Sequence, residues 1–542
     1  MRYTSLRERL AIAIFLTITN IGFALPFWFE ECYAEIIPKV SVSPSGTVTV
    51  SWQTEHPTAA PSVYYGPVHH QEGAKIVYPD YIMRVSKDTV STSHSIILKE
   101  VKPNLLYHYR VSCIDTKKYF QLMSKDYTFR YVIDSNGNAI QTLTIVHGPS
   151  IAYVTQNSAV IRFETSKPSI GWIEYGETYP YPQDSSNSLI KVDSTYKYIH
   201  EVELINLGPE KSYHYKVTAK GIQDIDKIES DDFIFSTAPQ GSSFKFAVMG
   251  DSRASGVSPC QDFRLNGVNT VVLKQLMIES FRLGANFIVF VGDLISGCSQ
   301  DTSDILLQYD TWKTTVDPIS AYIPIYVVFG NHEATTKTKF KSAEAIWAQV
   351  FTMPDNGPTN HKGMPPYKEN VYSFDYGNSR FIILNCDYGS VEGKIDKKQM
   401  SWLKRELTKP SEHTFVFLHE PAYPAGGHIG SSMDRFPKER DKFWKLLDKN
   451  NVDIVFAAHE HNYSRTLIDK SVNPNWQNAI WQIISGAAGA PTYAQDMSVP
   501  YIQNVKAFSR EYSFVLVTVD GDKVKVNVYN QVGDIIDSFV VK

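Results

Sequence analysis

The chain lacks a basic excess, a second long apolar run and a large number of cysteines. Its 542 residues contain 53 Lys and Arg against 57 Asp and Glu, a net charge of −4, so it has no basic footprint for nucleic acid. Beyond the N-terminus, no stretch of the sequence is long and apolar enough to span a bilayer. Hydrophobic residues make up 43% and charged residues 20%, which predicts ordinary globular cores.

Residues 1–34 have the pattern of a secretory signal sequence. Three Arg accompany an apolar run from Leu10 to Leu25, and Cys32–Ala34 offers small residues for cleavage after Ala34. We therefore predict a secreted, periplasmic or cell-surface protein with no stable membrane insertion after cleavage. An uncleaved membrane anchor is the alternative.

The five cysteines permit one disulfide that the sequence alone does not decide. Cys32 departs with the signal, and Cys113, Cys260, Cys298 and Cys386 remain in a compartment that permits disulfides. Cys260 and Cys298 follow the first two loops that carry candidate site residues. They would bridge if those loops are neighbours, and free cysteines are the alternative.

Two all-β units are predicted at 36–132 and 142–238, each near the size of a β-sandwich. Tyr65-Gly66 matches Tyr175-Gly176, and Tyr107-His108-Tyr109 matches Tyr213-His214-Tyr215, at nearly constant offsets. The repeated landmarks indicate a duplicated domain. The Tyr-x-Tyr strand of each unit resembles fibronectin type III domains, and its His is expected to face outward and not to bind a ligand.

After a Pro/Gly/Ser linker, the pattern over 243–542 changes to an α/β type. Strands at 244–249 and 286–291 flank an amphipathic helix at 267–283, which is a βαβ unit. Further buried strands are predicted at 325–329, 380–384, 414–418 and 452–456, and helices at 341–351, 397–408 and 437–450. The stretch 514–541 returns to β structure with a hairpin turn at 520–522.

Five buried strands of this region end at polar clusters. The clusters are Gly250-Asp251-Ser252-Arg253, Gly292-Asp293-Leu294, Gly330-Asn331-His332-Glu333, His419-Glu420 and His459-Glu460-His461. Ligands of open α/β sheets bind beyond the carboxyl ends of the strands, so these clusters should converge. Their Asp, Asn and His side chains suit two metal ions about 3.5–4 Å apart, with Zn, Fe or Mn favoured over Ca.

This ordered set resembles the calcineurin-like metallophosphoesterases, and the preceding β-sandwich is similar to that of purple acid phosphatases. The resemblance implies a multi-domain chain: two fibronectin type III-like sandwiches, the second purple acid phosphatase N-terminal-like, then a four-layer α/β/β/α domain. The implied metal ligands are Asp251 and His461 for one ion, Asn331, His419 and His459 for the other, and Asp293 as the bridge.

The resemblance also assigns catalytic roles. His332 would bind the phosphoryl group and help to protonate the leaving oxygen, while a metal-bound hydroxide attacks phosphorus. Two residues depart from the family pattern, because Arg253 replaces the His of Asp-x-His and Ser296 replaces the Tyr of Gly-Asp-x-x-Tyr. The first ion then binds weakly, uses another donor, or is absent. Arg253 either contacts phosphate or forms a structural salt bridge.

Four further residues are weaker candidates. His428 and Tyr423, in and beside the loop 424–428, are candidates for the substrate rim, and a surface loop without function is the alternative. Glu333 and Glu460 are expected to orient the ligands.

The predicted function is hydrolysis of phosphate monoesters or diesters of a small molecule by an exported, metal-dependent enzyme. The alternative is a weakened or inactive relative whose sandwiches bind a cell-surface partner.

Overall fold

The computed structural model describes residues 36–67, 81–117, 121–181, 189–223, 225–241, 243–254, 265–297, 299, 302–336, 342–359, 367–387 and 393–541. The predicted signal sequence, Cys260 and Cys298 lie outside these residues, so the proposed disulfide stays a prediction. Cys113 and Cys386 are buried free thiols. Within the described residues, no helix combines the length and the apolar character needed to cross a bilayer.

The first β unit is an antiparallel sheet with strand order β1-β2-β5-β7-β8, with β3 and β4 paired to β2 and β6 to β5. Its strands are β1 Lys39–Val42, β2 Val48–Pro67, β3 Met83–Ser86, β4 Ser91–Ile97, β5 Tyr107–Asp115, β6 Gln121–Met123, β7 Tyr127–Ile133 and β8 Ala139–Thr142. Trp52, Tyr109 and Phe129 fill the core of this unit. Strand β8 pairs with β7 beyond the predicted end of the unit at 132.

The second β unit has the strand order β11-β10-β12-β13, with β9 paired to β10 and β14 to β12. Its strands are β9 Ile145–Val154, β10 Ser158–Gly176, β11 Leu189–Ile205, β12 Ser212–Lys220, β13 Lys227–Glu229 and β14 Phe233–Ser236.

Both β units contain the same hydrogen-bonded triplet of side chains. In each, the Nδ1 of a strand His bonds one oxygen of an Asp, and a Tyr hydroxyl donates to the other oxygen. The triplets are Tyr81, His108, Asp126 and Tyr181, His214, Asp232. A three-residue arrangement at matching places supports the duplication. It also explains the two strand histidines, which are partly buried by their Asp partners.

The region after the linker contains two mixed sheets. The third sheet has the order β17-β16-β15-β25-β26-β27, and the fourth has β18-β19-β20-β21-β23-β22-β24. The strands are β15 Ser243–Met249, β16 Phe287–Phe290, β17 Ile325–Val327, β18 Tyr372–Tyr376, β19 Ser379–Ile383, β20 His413–Phe417, β21 Ile454–Ala457, β22 Tyr463–Ile468, β23 Ile480–Ser485, β24 Val505–Ser509, β25 Ser513–Asp520, β26 Lys523–Asn530 and β27 Ile535–Val540.

The helices of this region are α1 Thr270–Arg282, α2 Thr302–Ser320, α3 Asn331–Ala334, α4 Ala343–Val350, α5 Lys397–Glu406 and α6 Pro437–Lys449, with 3₁₀ turns at Leu265–Gly267, Met433–Arg435 and Ile502–Asn504. Helices α1, α4, α5 and α6 lie where the sequence predicts helices. Asp396 caps α5 by accepting hydrogen bonds from the Lys398 and Gln399 amides, and Ser342 caps α4 in the same way. Helix α2 was not predicted, because its many Thr and Asp residues have low helix propensity.

Aromatic side chains join the third and fourth sheets. The ring of Phe246 on β15 lies 5.1 Å from the rings of Phe381 and Phe415 on the fourth sheet, edge to face. A separate apolar cluster packs Trp402 of α5 and Trp444 of α6 against the fourth sheet. These contacts fix the strand ends that carry the candidate site.

A buried ion network ties the β units to helix α2. His147 of β9 lies 2.9 Å from the carboxylates of both Asp310 and Asp317, and Lys125 of the first unit donates to Asp310 at 3.0 Å. Burial and nearby Lys313 lower the pKa of His147, but the two Asp outweigh them and raise it to about 9. His147 is therefore a cation in the folded protein at neutral pH.

We expect this network to stabilise the fold below pH 6.5 and to lose its effect as the pH rises to about 9, because deprotonation in the folded state removes the cation. The free energy of unfolding lost on His147→Gln should shrink by about 3 kcal/mol across that window. Urea unfolding at several pH values measures it.

His200→Gln is the matched control, because burial lowers the pKa of this second buried His of the same unit. The free energy of unfolding lost on His200→Gln should not fall between neutral pH and pH 9. If the free energy of unfolding lost on His147→Gln did not change with pH, the prediction would be contradicted.

Candidate metal centre

The carboxyl ends of five strands deliver the candidate site residues. Strands β15, β16 and β17 are parallel neighbours, and so are β20 and β21, so their following loops lie at common sheet edges. The loops bend through left-handed backbone at Asp251, Asp293 and His459, with φ of 60°, 52° and 66°. Gly292 has a φ of 89°, and a Cβ there would lie 2.4 Å from His419 Nδ1, so only glycine fits.

Asp293, Asn331, His419 and His459 form what we call the four-donor group. His419 Nδ1 donates to the Val291 carbonyl at 2.8 Å, so Nε2 faces the site, 3.2 Å from Asp293 Oδ1 and 3.0 Å from Asn331 Oδ1. His459 Nδ1 lies 2.9 Å from the same Asn331 oxygen. Two imidazoles, a carboxylate and an amide oxygen thus converge on one point, a donor set that fits Zn, Fe or Mn.

Asp251, Asp293 and His461 form a second cluster, the three-donor group, whose candidate ligand atoms lie within 4.8 Å of one another. His461 Nδ1 donates to the Pro491 carbonyl at 2.7 Å, so its Nε2 is bare and lies 3.6 Å from Asp251 Oδ1. That Asp251 oxygen is buried and has no hydrogen-bond partner among the described residues.

Arg253 lies against this three-donor group. Its Nη2 is 3.3 Å from His461 Nε2 and its Nε is 3.5 Å from Asp293 Oδ2. Ser296, the second departure from the family pattern, directs its hydroxyl to the carbonyls of Ala254 and Gly267, at 3.1 Å each. Ser296 therefore does not supply the missing donor.

Burial and charge separate the two central carboxyls. Burial raises the pKa of the Asp251 carboxyl well above its usual range, outweighing His419 and Arg253. Burial acts in the same direction on Asp293, but its hydrogen bond and charge interaction with His419 and the nearby Arg253 outweigh it and hold the pKa of Asp293 well below its usual range. Asp293 therefore carries the central negative charge.

His332 lies beside the metal donors at the start of helix α3. Its backbone amide donates to Asp293 Oδ1 at 3.0 Å, and its Nδ1 bonds the Ser296 carbonyl. The Nε2 atom then lies 3.8 Å from Asp293 Oδ2. Burial and the positive charge of Arg253 lower the pKa of His332 to about 4, so the ring is neutral at neutral pH.

Two buried glutamates position the site through backbone amides. Glu333 accepts hydrogen bonds from the amides of Asp293, Leu294 and Gly330, each at 2.9 Å. It thereby holds the loop that carries Asp293, as the sequence predicts for a residue that orients ligands.

Glu460 instead fixes the rim loop. Its carboxylate accepts from the amides of Ala425, Gly426 and His428 at 2.7, 2.8 and 3.0 Å. This places the His428 ring over the His459 ring, with a centroid separation of 3.9 Å.

Tyr423 is a correction to the sequence prediction. It was expected at the substrate rim, but its side chain is only 2% exposed, and its ring packs against Trp444 and Tyr501 in the core under α6. Its hydroxyl accepts a hydrogen bond from Trp476. The apolar neighbours of Tyr423 hold it in the core and away from the rim.

Tyr493 is the site residue that the sequence reading missed. Its ring stacks on His461 at 4.3 Å and lies 5.1 Å from His428. It follows β23, whose parallel pairing with β21 brings the next loop to the same sheet edge. The apolar run Ile480–Ile484 before Gly486 could have indicated a further buried strand whose following loop reaches the site.

We expect Glu460→Gln to loosen the rim loop, because an amide presents N–H groups where backbone donors need an acceptor. The free energy of unfolding should fall by roughly 1–3 kcal/mol. Hydrogen exchange at Ala425, Gly426 and His428 should speed up and report the loop directly. Glu439→Gln, on the exposed face of α6, is the control. Unchanged exchange at the three amides would contradict this role.

Two family models match the chain. The calcineurin-like phosphoesterase model matches residues 244–463, and the purple acid phosphatase N-terminal domain model matches residues 37–131. The second match lies on the first β unit, whereas the sequence resemblance was assigned to the second unit.

Curated relatives from Arabidopsis thaliana are similar over part of their length. Purple acid phosphatase 23 is 26% identical over 319 residues, covering 54% of this chain and 61% of that protein. Probable inactive purple acid phosphatase 1 is 25% identical over 286 residues, covering 50% of this chain and 44% of that protein. The chain thus spans about half the length of these relatives.

Two solved structures share the fold. The purple acid phosphatase PPD1 from yellow lupin (Lupinus luteus) seeds has a TM-score of 0.61 at 17% identity, covering 91% of this chain and 92% of that chain. The structure of PhoD has a TM-score of 0.53 at 13% identity, and the match covers 73% of this chain and 92% of that chain. The two family matches, together with the converging donors, show that this chain contains a calcineurin-like metallophosphoesterase domain and a purple acid phosphatase N-terminal domain.

Proposed function

We propose that the chain is a metal-dependent phosphoesterase that hydrolyses phosphate monoesters, with diesters as a second substrate class. The observation that carries this proposal is the convergence of four donors. Asp293 Oδ1 and Asn331 Oδ1 both lie within 3.2 Å of His419 Nε2, and His459 Nδ1 lies 2.9 Å from the same Asn331 oxygen. A metal ion held there would act as a Lewis acid on phosphoryl oxygens and lower the pKa of a bound water.

Two side chains around these donors suit a phosphoryl group. Arg253 carries a permanent positive charge, and guanidinium N–H groups bind phosphate oxygens strongly. His332 keeps Nδ1 on the Ser296 carbonyl, so its Nε2 faces the site. A bound phosphate dianion would raise the pKa of His332, so that Nε2 takes up a proton and passes it to the leaving oxygen.

His428 and Tyr493 form the rim. Their rings lie 5.1 Å apart beside His459 and His461, which leaves aromatic and imidazole surface for the alcohol part of the substrate. We propose a phosphorylated small molecule as the substrate, and the net charge of −4 disfavours nucleic acid.

The remaining expectations are part of the same proposal. The protein is exported by residues 1–34 and acts at the cell surface, in the periplasm or outside the cell. The two β units at 36–132 and 142–238 are fibronectin type III-like and are available to a cell-surface partner. The two packed sheets of 243–542 with their helices are the four-layer α/β/β/α sandwich.

A non-catalytic binding protein is the second candidate. Arg253 and Ser296 occupy positions where the family pattern has a His and a Tyr. The four-donor group and His332 are complete, and a binding scaffold needs neither, so we favour the enzyme.

His332→Ala should lower kcat about 10²- to 10⁴-fold, because it removes a proton donor and a phosphoryl contact. The metal content should stay unchanged, since His332 is not a ligand. Turnover of p-nitrophenyl phosphate and bis-p-nitrophenyl phosphate, with elemental analysis of the same samples, measures both quantities.

His56→Ala, in the first β unit, is the control and should leave turnover intact. Loss of metal from His332→Ala would show that His332 is a ligand. A wild-type protein that holds its metal and hydrolyses neither ester nor other phosphate compounds would favour the binding-protein candidate.

A further inference from the structure

Arg253 starts from a fixed backbone position next to Asp293. Its amide donates to the Asp293 carbonyl at 3.2 Å, and its backbone forms a bridge with Val268. The side chain is only 16% exposed. The guanidinium is thus directed into the centre of the site by backbone contacts.

The guanidinium uses the atoms that an ion in the three-donor group would bind. His461 has its Nδ1 hydrogen on Pro491, so the Nε2 lone pair is its one remaining acceptor, and Arg253 Nη2 lies 3.3 Å from it. Arg253 Nε lies 3.5 Å from Asp293 Oδ2, whereas His419 Nε2 lies 3.2 Å from the other oxygen, Oδ1.

The charge of Arg253, like its position, disfavours a metal ion in the three-donor group. An arginine cannot be deprotonated at ordinary pH, so a second cation in the three-donor group would lie beside a permanent charge in a buried site. The nearby Ser296 hydroxyl is turned to backbone carbonyls and offers no compensating ligand.

We propose that this centre binds a single metal ion, in the four-donor group, and that the Arg253 guanidinium takes the place of the second ion. The inference rests on the proposed function only for the identity of the metal donors. Arg253 supplies the positive charge on one side of the phosphoryl group, and the bound ion supplies it on the other. The substrate therefore has to offer a phosphoryl oxygen to a planar pair of N–H donors.

Metal counting tests the proposal without any assay of turnover. Wild type, Arg253→Lys, Arg253→His and Arg253→Ala are dialysed against excess Mn²⁺ or Zn²⁺, desalted and measured by elemental analysis. We expect one ion per chain in wild type and Arg253→Lys, because both keep the charge. Arg253→His, which removes the charge and adds a donor, should bind two.

Arg253→Ala removes the charge alone and should bind a second ion more weakly than Arg253→His does. Two ions in wild type or in Arg253→Lys would overturn the proposal. One ion in both Arg253→His and Arg253→Ala would also overturn it, because Arg253 would then not be what limits the site.

If the variants fail to fold, paramagnetic resonance of Mn²⁺ bound to the wild-type protein still shows whether the site holds one ion or two. One Mn²⁺ gives an uncoupled paramagnetic resonance signal, whereas two ions about 3.5–4 Å apart are exchange-coupled. We expect the uncoupled signal, and a coupled signal at saturation would overturn the proposal. A protein that holds one ion and hydrolyses nothing refutes the proposed function and leaves this inference standing.

Discussion

The buried carboxylate of Asp293 is the constraint on which the candidate metal centre depends. It receives the His332 amide, lies 3.2 Å from His419 and pairs with Arg253, so it touches both donor groups. A buried carboxylate stays ionised only where cations and hydrogen bonds offset its desolvation. His419 and Arg253, which hold the pKa of Asp293 down, are also members or neighbours of the two donor groups. The charge of Asp293 and the arrangement of the site therefore depend on the same residues.

The convergence of the site was predictable because apolar runs in a parallel sheet stop at the same edge. Asp251, Asp293, Asn331, His419 and the His459–His461 pair all follow such runs, and the structure brings them together. Tyr423 shows where this reasoning fails. It lies four residues after His419, but sequence distance from a ligand does not say which way a side chain points, and aromatic packing under α6 decided it.

The specific contacts of the residues around the donor groups could not be predicted from the sequence, for a physical reason. Glu333 and Glu460 lie next to metal donors in the sequence, yet what they bind is backbone from distant loops, at 293–294 and 425–428. Such contacts depend on how loops from separate strands approach one another. Tyr493 reaches His461 in the same way, and helix α2 forms in spite of low propensity because its apolar residues pack onto the third sheet.

Helix α2 connects the β units to the metal centre by direct contacts. One part of the helix carries Asp310 and Asp317, which hold His147. Another carries Gln308, whose side chain bonds both the amide and the carbonyl of Gly297, at 2.9 and 3.3 Å. Gly297 belongs to the loop that begins at Asp293 and includes the carbonyl of Ser296 that orients His332. The position of the loop 293–297 therefore depends on a helix that is itself anchored by His147, a buried charge from the second β unit. This gives the β units a structural role in the site, whatever else they bind.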